Sequence, residues 1–79
     1  MFYVYILKSL SNSGQTYVGF STSLKRRIEE HNFGKSPHTK KFIPWKLSMY
    51  LAFEDETKAR NFEKYLKTAS GIAFRSKRF

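Results

Sequence analysis

The first seven residues, Met1 to Leu7, read MFYVYIL, with aromatic and branched apolar side chains at odd and even positions alike. Successive side chains of a strand point to opposite faces, so a strand that is apolar at both parities has to be covered on both. In a chain of 79 residues this run is therefore a central strand, with a neighbour on each edge and a packing layer above and below. The segment SLSNSG, residues 9–14, is rich in turn formers. Residues 15–20 then return as the second arm of a β-hairpin, with Tyr5 and Tyr17 close across the pair. Residues 47–53, LSMYLAF, with Trp45 just before them, read as a third strand. Being mostly apolar, it pairs with the first. The expected sheet is antiparallel in the order 2-1-3, within an α+β domain spanning residues 1–79.

Between the second and third strands the pattern becomes helical. Ser21, Thr22 and Ser23 supply helix-capping chemistry, and a helix over residues 22–32 should stop at Gly34, the residue type best suited to a left-handed C-terminal cap. At about 100° per residue, Leu24 and Ile28 share one stripe, His31 lies beside it and Arg27 on its flank, while Arg26 points to solvent. Arg27 and His31, four residues apart, meet at the edge of whatever the helix packs on. A second helix opens at Glu54-Asp55-Glu56, acids that complement its dipole, and runs to about Lys67 with Ala59, Phe62 and Leu66 as its apolar stripe. Glu63 falls inside that stripe. A carboxylate there loses hydration and needs a cation or a hydrogen-bond partner, which makes it either half of a salt bridge or a metal ligand. Residues 69–79, ASGIAFRSKRF, read as a short third helix or a frayed basic tail.

Charge narrows the classes of partner. Fifteen Lys and Arg against six Asp and Glu give a formal charge of +9, which in so small a domain points to a polyanion, with nucleic acid the default. The loop GKSPHTKKFIPWK displays Lys35, Lys40, Lys41 and Lys46 among aromatic residues, a composition suited to following a phosphate backbone. The absence of cysteine excludes disulfides and thiolate zinc sites, and two histidines are too few for a histidine-built metal centre, so a bound metal has to be held by oxygen. No apolar run approaches the roughly 20 residues of a membrane helix, and no secretory leader pattern opens the chain. The expectation is a soluble, cytoplasmic protein with no membrane partner.

Taken in order, Val4-Tyr5-Ile6 on strand 1, Tyr17-Val18-Gly19 on strand 2, Leu24-x-x-Arg27-x-x-x-His31 on helix 1 and Ala59-x-x-x-Glu63 on helix 2 resemble the GIY-YIG nuclease family. YVYILKS near the start and EKYLKTASG near the end are similar to its small single-domain bacterial members, which in turn resemble the N-terminal nuclease domain of the bacterial excision-repair excinuclease. The resemblance implies hydrolysis of DNA phosphodiester bonds, in repair or recombination, with Mg²⁺ or Mn²⁺. It places Tyr5 and Tyr17 in the active site, Arg27 on the scissile phosphate, His31 as a further polar member and Glu63 on the metal. These types suit the chemistry. Hydrolysis needs a base for water, a fixed cation for the phosphate and stabilisation of the leaving oxygen. Arginine is planar and permanently charged, and a lone carboxylate leaves most positions around Mg²⁺ to water and substrate. Tyr17 is preferred as the base over His31, although nearby cations must then depress a phenol whose ordinary pKa is about 10.

The sequence departs from the family pattern at three points. Val4 replaces a glycine, Phe20 stands where many members have lysine, and no asparagine follows Asn61. These departures keep a second reading open, that of a non-catalytic nucleic-acid-binding module with a degenerate nuclease site. Target choice would come from a partner protein or from self-association.

Overall fold

In the computed structural model of the protein, residues 1–68 are described, together with Gly71 and Lys77; the expected third helix or tail otherwise lies outside the described residues. The N-terminal apolar run forms β1 (Phe2–Ser9), flanked by β2 (Thr16–Ser21) and β3 (Trp45–Phe53) in an antiparallel sheet of order β2-β1-β3. Val4, Tyr5, Ile6 and Leu7 are all buried, which is the two-sided cover that their composition demands. Even-numbered residues of β1 face one layer. Val4 and Ile6 pack there with Val18 and with Ala59 and Leu66 of helix α2 (Glu56–Leu66), ringed by Phe2, Phe20, Met49, Phe53 and Phe62. Tyr5 and Leu7 face the other layer, where Trp45, Tyr17, Phe42, Ile43 and Leu47 join Leu24 and Ile28 of helix α1 (Leu24–Asn32). The helices thus cover opposite faces of one sheet.

Helix α1 begins two residues later than the sequence suggests. Ser23 occupies the N-cap but makes no capping bond with its side chain. Ser21 holds the turn instead, its hydroxyl accepting from the Ser23 N–H at 3.0 Å and donating to the Ser23 carbonyl at 3.0 Å. The other end is as expected. Gly34 has φ +76°. Its N–H donates to the His31 carbonyl at 3.2 Å while the Lys35 N–H donates to that of Glu30 at 3.1 Å, closing the left-handed turn that glycine accepts at least cost. Helix α2 is capped by Asp55, whose carboxylate accepts from the Lys58 N–H at 3.2 Å.

Strand β3 starts at Trp45 rather than at residue 47. The Asn32 side chain, at the end of α1, receives the Trp45 N–H at 2.6 Å and donates to the Trp45 carbonyl at 3.1 Å. These bonds satisfy both backbone groups at the strand's first residue. The register of β3 on β1 shifts between Ile6 and Leu7, which pair with Met49 and Leu47 and leave Ser48 as the extra residue. The bulge lets Trp45 and Leu47 face α1 while Met49 faces α2. Because β3 starts at Trp45, Lys46 leaves the loop in which the sequence reading places it and lies on β3, opposite Lys8. Among the described residues no helix is long and apolar enough to cross a membrane.

Candidate active site

Tyr5 and Gly19 are partners across β1 and β2, and the whole site follows from that pairing. Tyr5 is fully buried, and its phenol ring crosses the β2 backbone directly above Gly19. A Cβ at position 19 would collide with Cζ and Oη of Tyr5, so glycine is required there for room rather than for an unusual backbone angle. Passing over Gly19 brings the phenol oxygen to 3.0 Å from Nε2 of His31. His31 is 0% exposed, and its Nδ1 lies 2.9 Å from the hydroxyl of Thr39, also buried, in the loop after α1. One turn earlier on α1, the Arg27 guanidinium lies close enough for its charge to act on the same phenol. Tyr17 completes the group, its ring 4.8 Å from that of His31 and 6.3 Å from that of Tyr5, centroid to centroid.

The electrostatics are ordered by burial. Loss of solvent raises the pKa of Tyr5 above its ordinary value, while Arg27 pulls it down and the Tyr17 and Glu63 charges push it up. Burial, and then the Arg27 charge, lower the pKa of His31, with Glu30 acting in the opposite sense. The imidazole is therefore neutral at physiological pH. Arg27, 34% exposed, donates to Glu30 at 2.9 Å, an ion pair that raises the arginine's pKa and lowers the glutamate's.

The sequence-derived site thus assembles in part. Tyr5, Tyr17, Arg27 and His31 form one contact cluster. Glu63 is on α2, across the sheet from α1, and reaches the cluster through its field at Tyr5. It is 18% exposed and accepts from Lys67 at 3.1 Å. Arg27 and Glu63 are not each other's partners: each pairs within its own helix. Arg26 is 66% exposed, as its place on the helical wheel requires. His31, expected at an edge, is enclosed instead, because Tyr5, Tyr17 and Thr39 close around it. Lys35, Lys40, Lys41 and Lys46 are exposed. Thr39 escaped the sequence reading, since a single hydroxyl between His38 and Lys40 in an aperiodic loop carries no pattern. Glu30 was visible only as one of an acidic pair.

Comparison with known proteins agrees with this geometry. Residues 1–75 match the family described as the GIY-YIG catalytic domain. A UPF0213 protein of Streptococcus agalactiae is 35% identical over 66 residues, which cover 82% of this chain and 73% of that protein. One from Clostridium perfringens is 38% identical over 68 residues, covering 85% and 71%. The structure-specific endonuclease subunit SLX1 homolog of Drosophila mojavensis is 40% identical over 69 residues, covering 76% of this chain and 23% of that larger protein. With a 2-1-3 sheet, Tyr5 and Tyr17 on adjacent strands and Gly19 beneath the first of them, this chain belongs to the GIY-YIG family.

Proposed function

We propose that the protein is a divalent-metal-dependent endonuclease that hydrolyses DNA phosphodiester bonds. The observation that carries this reading is the position of Arg27. Its guanidinium is one-third exposed, paired with Glu30 and close enough to Tyr5 for its charge to act on the phenol, and it belongs to the same cluster as the half-buried Tyr17. A fixed planar cation of this kind suits a phosphate oxygen, and charge that is already oriented costs little reorganisation as negative charge builds up. Of the two bases considered, Tyr17 is the one with access to solvent. His31 is sealed, with both ring nitrogens engaged, and acts from behind through Tyr5. Lys35, Lys40, Lys41 and Lys46, on a chain of charge +9, hold the flanking backbone.

Among the described residues no group of three or more His, Cys, Asp or Glu could hold a metal ion, so Glu63, the carboxylate that the resemblance assigns to the metal, would serve as a lone acidic ligand. One carboxylate fits Mg²⁺ or Mn²⁺ whose remaining positions are filled by water and phosphate oxygens. When bound, the ion would stabilise the leaving oxygen. Lys67 would have to release Glu63, and an exposed i,i+4 pair of this kind is worth little.

The test is to incubate supercoiled and branched DNA with the protein, with and without Mg²⁺ or Mn²⁺. Metal-dependent nicking is expected, reduced about 100-fold or more by Arg27→Ala and by Glu63→Gln. The internal pairing of Arg27 with Glu30 and of Glu63 with Lys67 favours a second reading, DNA binding without cleavage. That reading predicts salt-sensitive binding that survives both substitutions, and no nicking under any condition.

A further inference from the structure

We infer that Thr39 is a positioning residue of the site: its hydroxyl fixes His31 as the Nδ1–H tautomer, so that Nε2 is left as the acceptor that aims the Tyr5 phenol. The inference rests on the proposed nuclease site and adds to it a residue that contacts neither substrate nor metal.

The argument is a count of protons and lone pairs in a buried space. Tyr5 is fully buried, and burial keeps its phenol protonated. The phenol's own proton then needs an acceptor, and the neighbour at hydrogen-bond distance is His31 Nε2 at 3.0 Å. If Nε2 carried the hydrogen, the Tyr5 proton would lack that acceptor in a residue with 0% exposure, leaving a buried donor unpaired. The neutral imidazole therefore carries its hydrogen on Nδ1 and donates to Thr39 Oγ1 at 2.9 Å. The Thr39 hydroxyl in turn points its hydrogen at the Ser36 carbonyl, 3.4 Å away. Every group from Tyr5 to Thr39 then donates in one direction: Tyr5 to His31, His31 to Thr39, Thr39 to Ser36.

The loop is built to hold Thr39 still. Its carbonyl accepts from the Trp45 indole N–H at 2.8 Å and from the Phe42 N–H at 3.1 Å, and its own N–H donates to the Ser36 carbonyl at 3.2 Å. Trp45 is in turn clamped to α1 by Asn32. A hydroxyl anchored at this depth is a rigid reference for the ring, which is how an outer group orients an inner one.

Long-range ¹⁵N–¹H correlation of the histidine rings tests this without any need for cleavage. In the native protein His31 should show protonated Nδ1 and bare Nε2, with exposed His38 as the freely averaging reference. Thr39→Val, which keeps the shape and removes the oxygen, should abolish the single tautomer; Thr39→Ser should retain it. Nicking should fall about 10- to 100-fold in the Val variant, the usual scale for such outer groups, and return in the Ser variant. Nε2–H as the native tautomer overturns the inference outright, and needs no variant to fold. An unchanged ring in Thr39→Val overturns it as well. If the protein cuts no DNA yet the ring responds as described, the nuclease reading falls and the positioning of His31 by Thr39 stands.

Discussion

The two faces of the sheet are built from alternate residues of the same strand, yet they are held by different physics. On the α2 side, Val4, Ile6, Val18, Ala59 and Leu66 meet through carbon alone. On the α1 side, Tyr5 shares its layer with His31 and Thr39, and every buried side-chain polar atom among the described residues has a partner. Apolar contact depends on area and volume and tolerates small rotations. A buried chain of hydrogen bonds depends on direction, and loses a whole partner when one group goes. The α2 face thus stabilises the fold and contributes Glu63, whereas the α1 face sets the directions of the other groups of the proposed site.

The largest effect should come from the apolar face. Leu66→Ala leaves a cavity under α2 and should cost about 2–5 kcal/mol in urea unfolding. The His31 ring signals should stay unchanged and nicking per folded molecule should stay native. A shifted His31 resonance in this variant would show that the faces are coupled, and the contrast between them would be lost. Next comes Tyr5→Phe, which removes one oxygen and almost no volume. It leaves His31 Nε2 without its partner and should cost roughly 1–3 kcal/mol, together with a large loss of nicking. Unchanged stability with native nicking would mean that the polar chain is ornamental.

The same contrast explains what the sequence disclosed. Strand order, the cover of β1 on both faces, the stop at Gly34 and the stripes of both helices follow from periodicity and residue type, which are local or nearly so. The coming together of Tyr5, Tyr17 and Arg27 followed from the order of the motifs. The enclosure of His31 did not, because it needs Thr39 from a loop whose path is fixed by Asn32 and Trp45, residues thirteen apart that meet through side-chain to backbone bonds. The bulge at Ser48 is equally silent in a run of residues that reads as one uninterrupted strand. The separation of Arg27 from Glu63 depends on which face each helix covers, and an apolar stripe does not name its face.

The smallest predicted effect sharpens the comparison most. The pKa of His31 lies below the ordinary 6.5, mainly through burial and then through the charge of Arg27; Tyr5 from β1 and Tyr17 from β2 also face the ring, and Glu30 on α1 acts in the opposite direction. As pH falls through 6.5 the unfolded chain takes up a proton that the folded protein still refuses. Stability is therefore full above that value and declines below it, levelling off once the folded imidazole also charges. The Glu30 carboxylate, held low by Arg27, loses its contribution only below its ordinary 4.5, outside this window. Urea midpoints taken between about pH 7 and pH 5 should fall with acid in the native protein. The decline should be parallel in Leu66→Ala, whose defect is on the other face, and nearly absent in His31→Asn, less stable at neutral pH but flat. A native protein with no decline, or a His31→Asn variant with the native slope, would show that the imidazole is not the group the fold keeps neutral, and the distinction between a directional face and an indifferent one would then need another carrier.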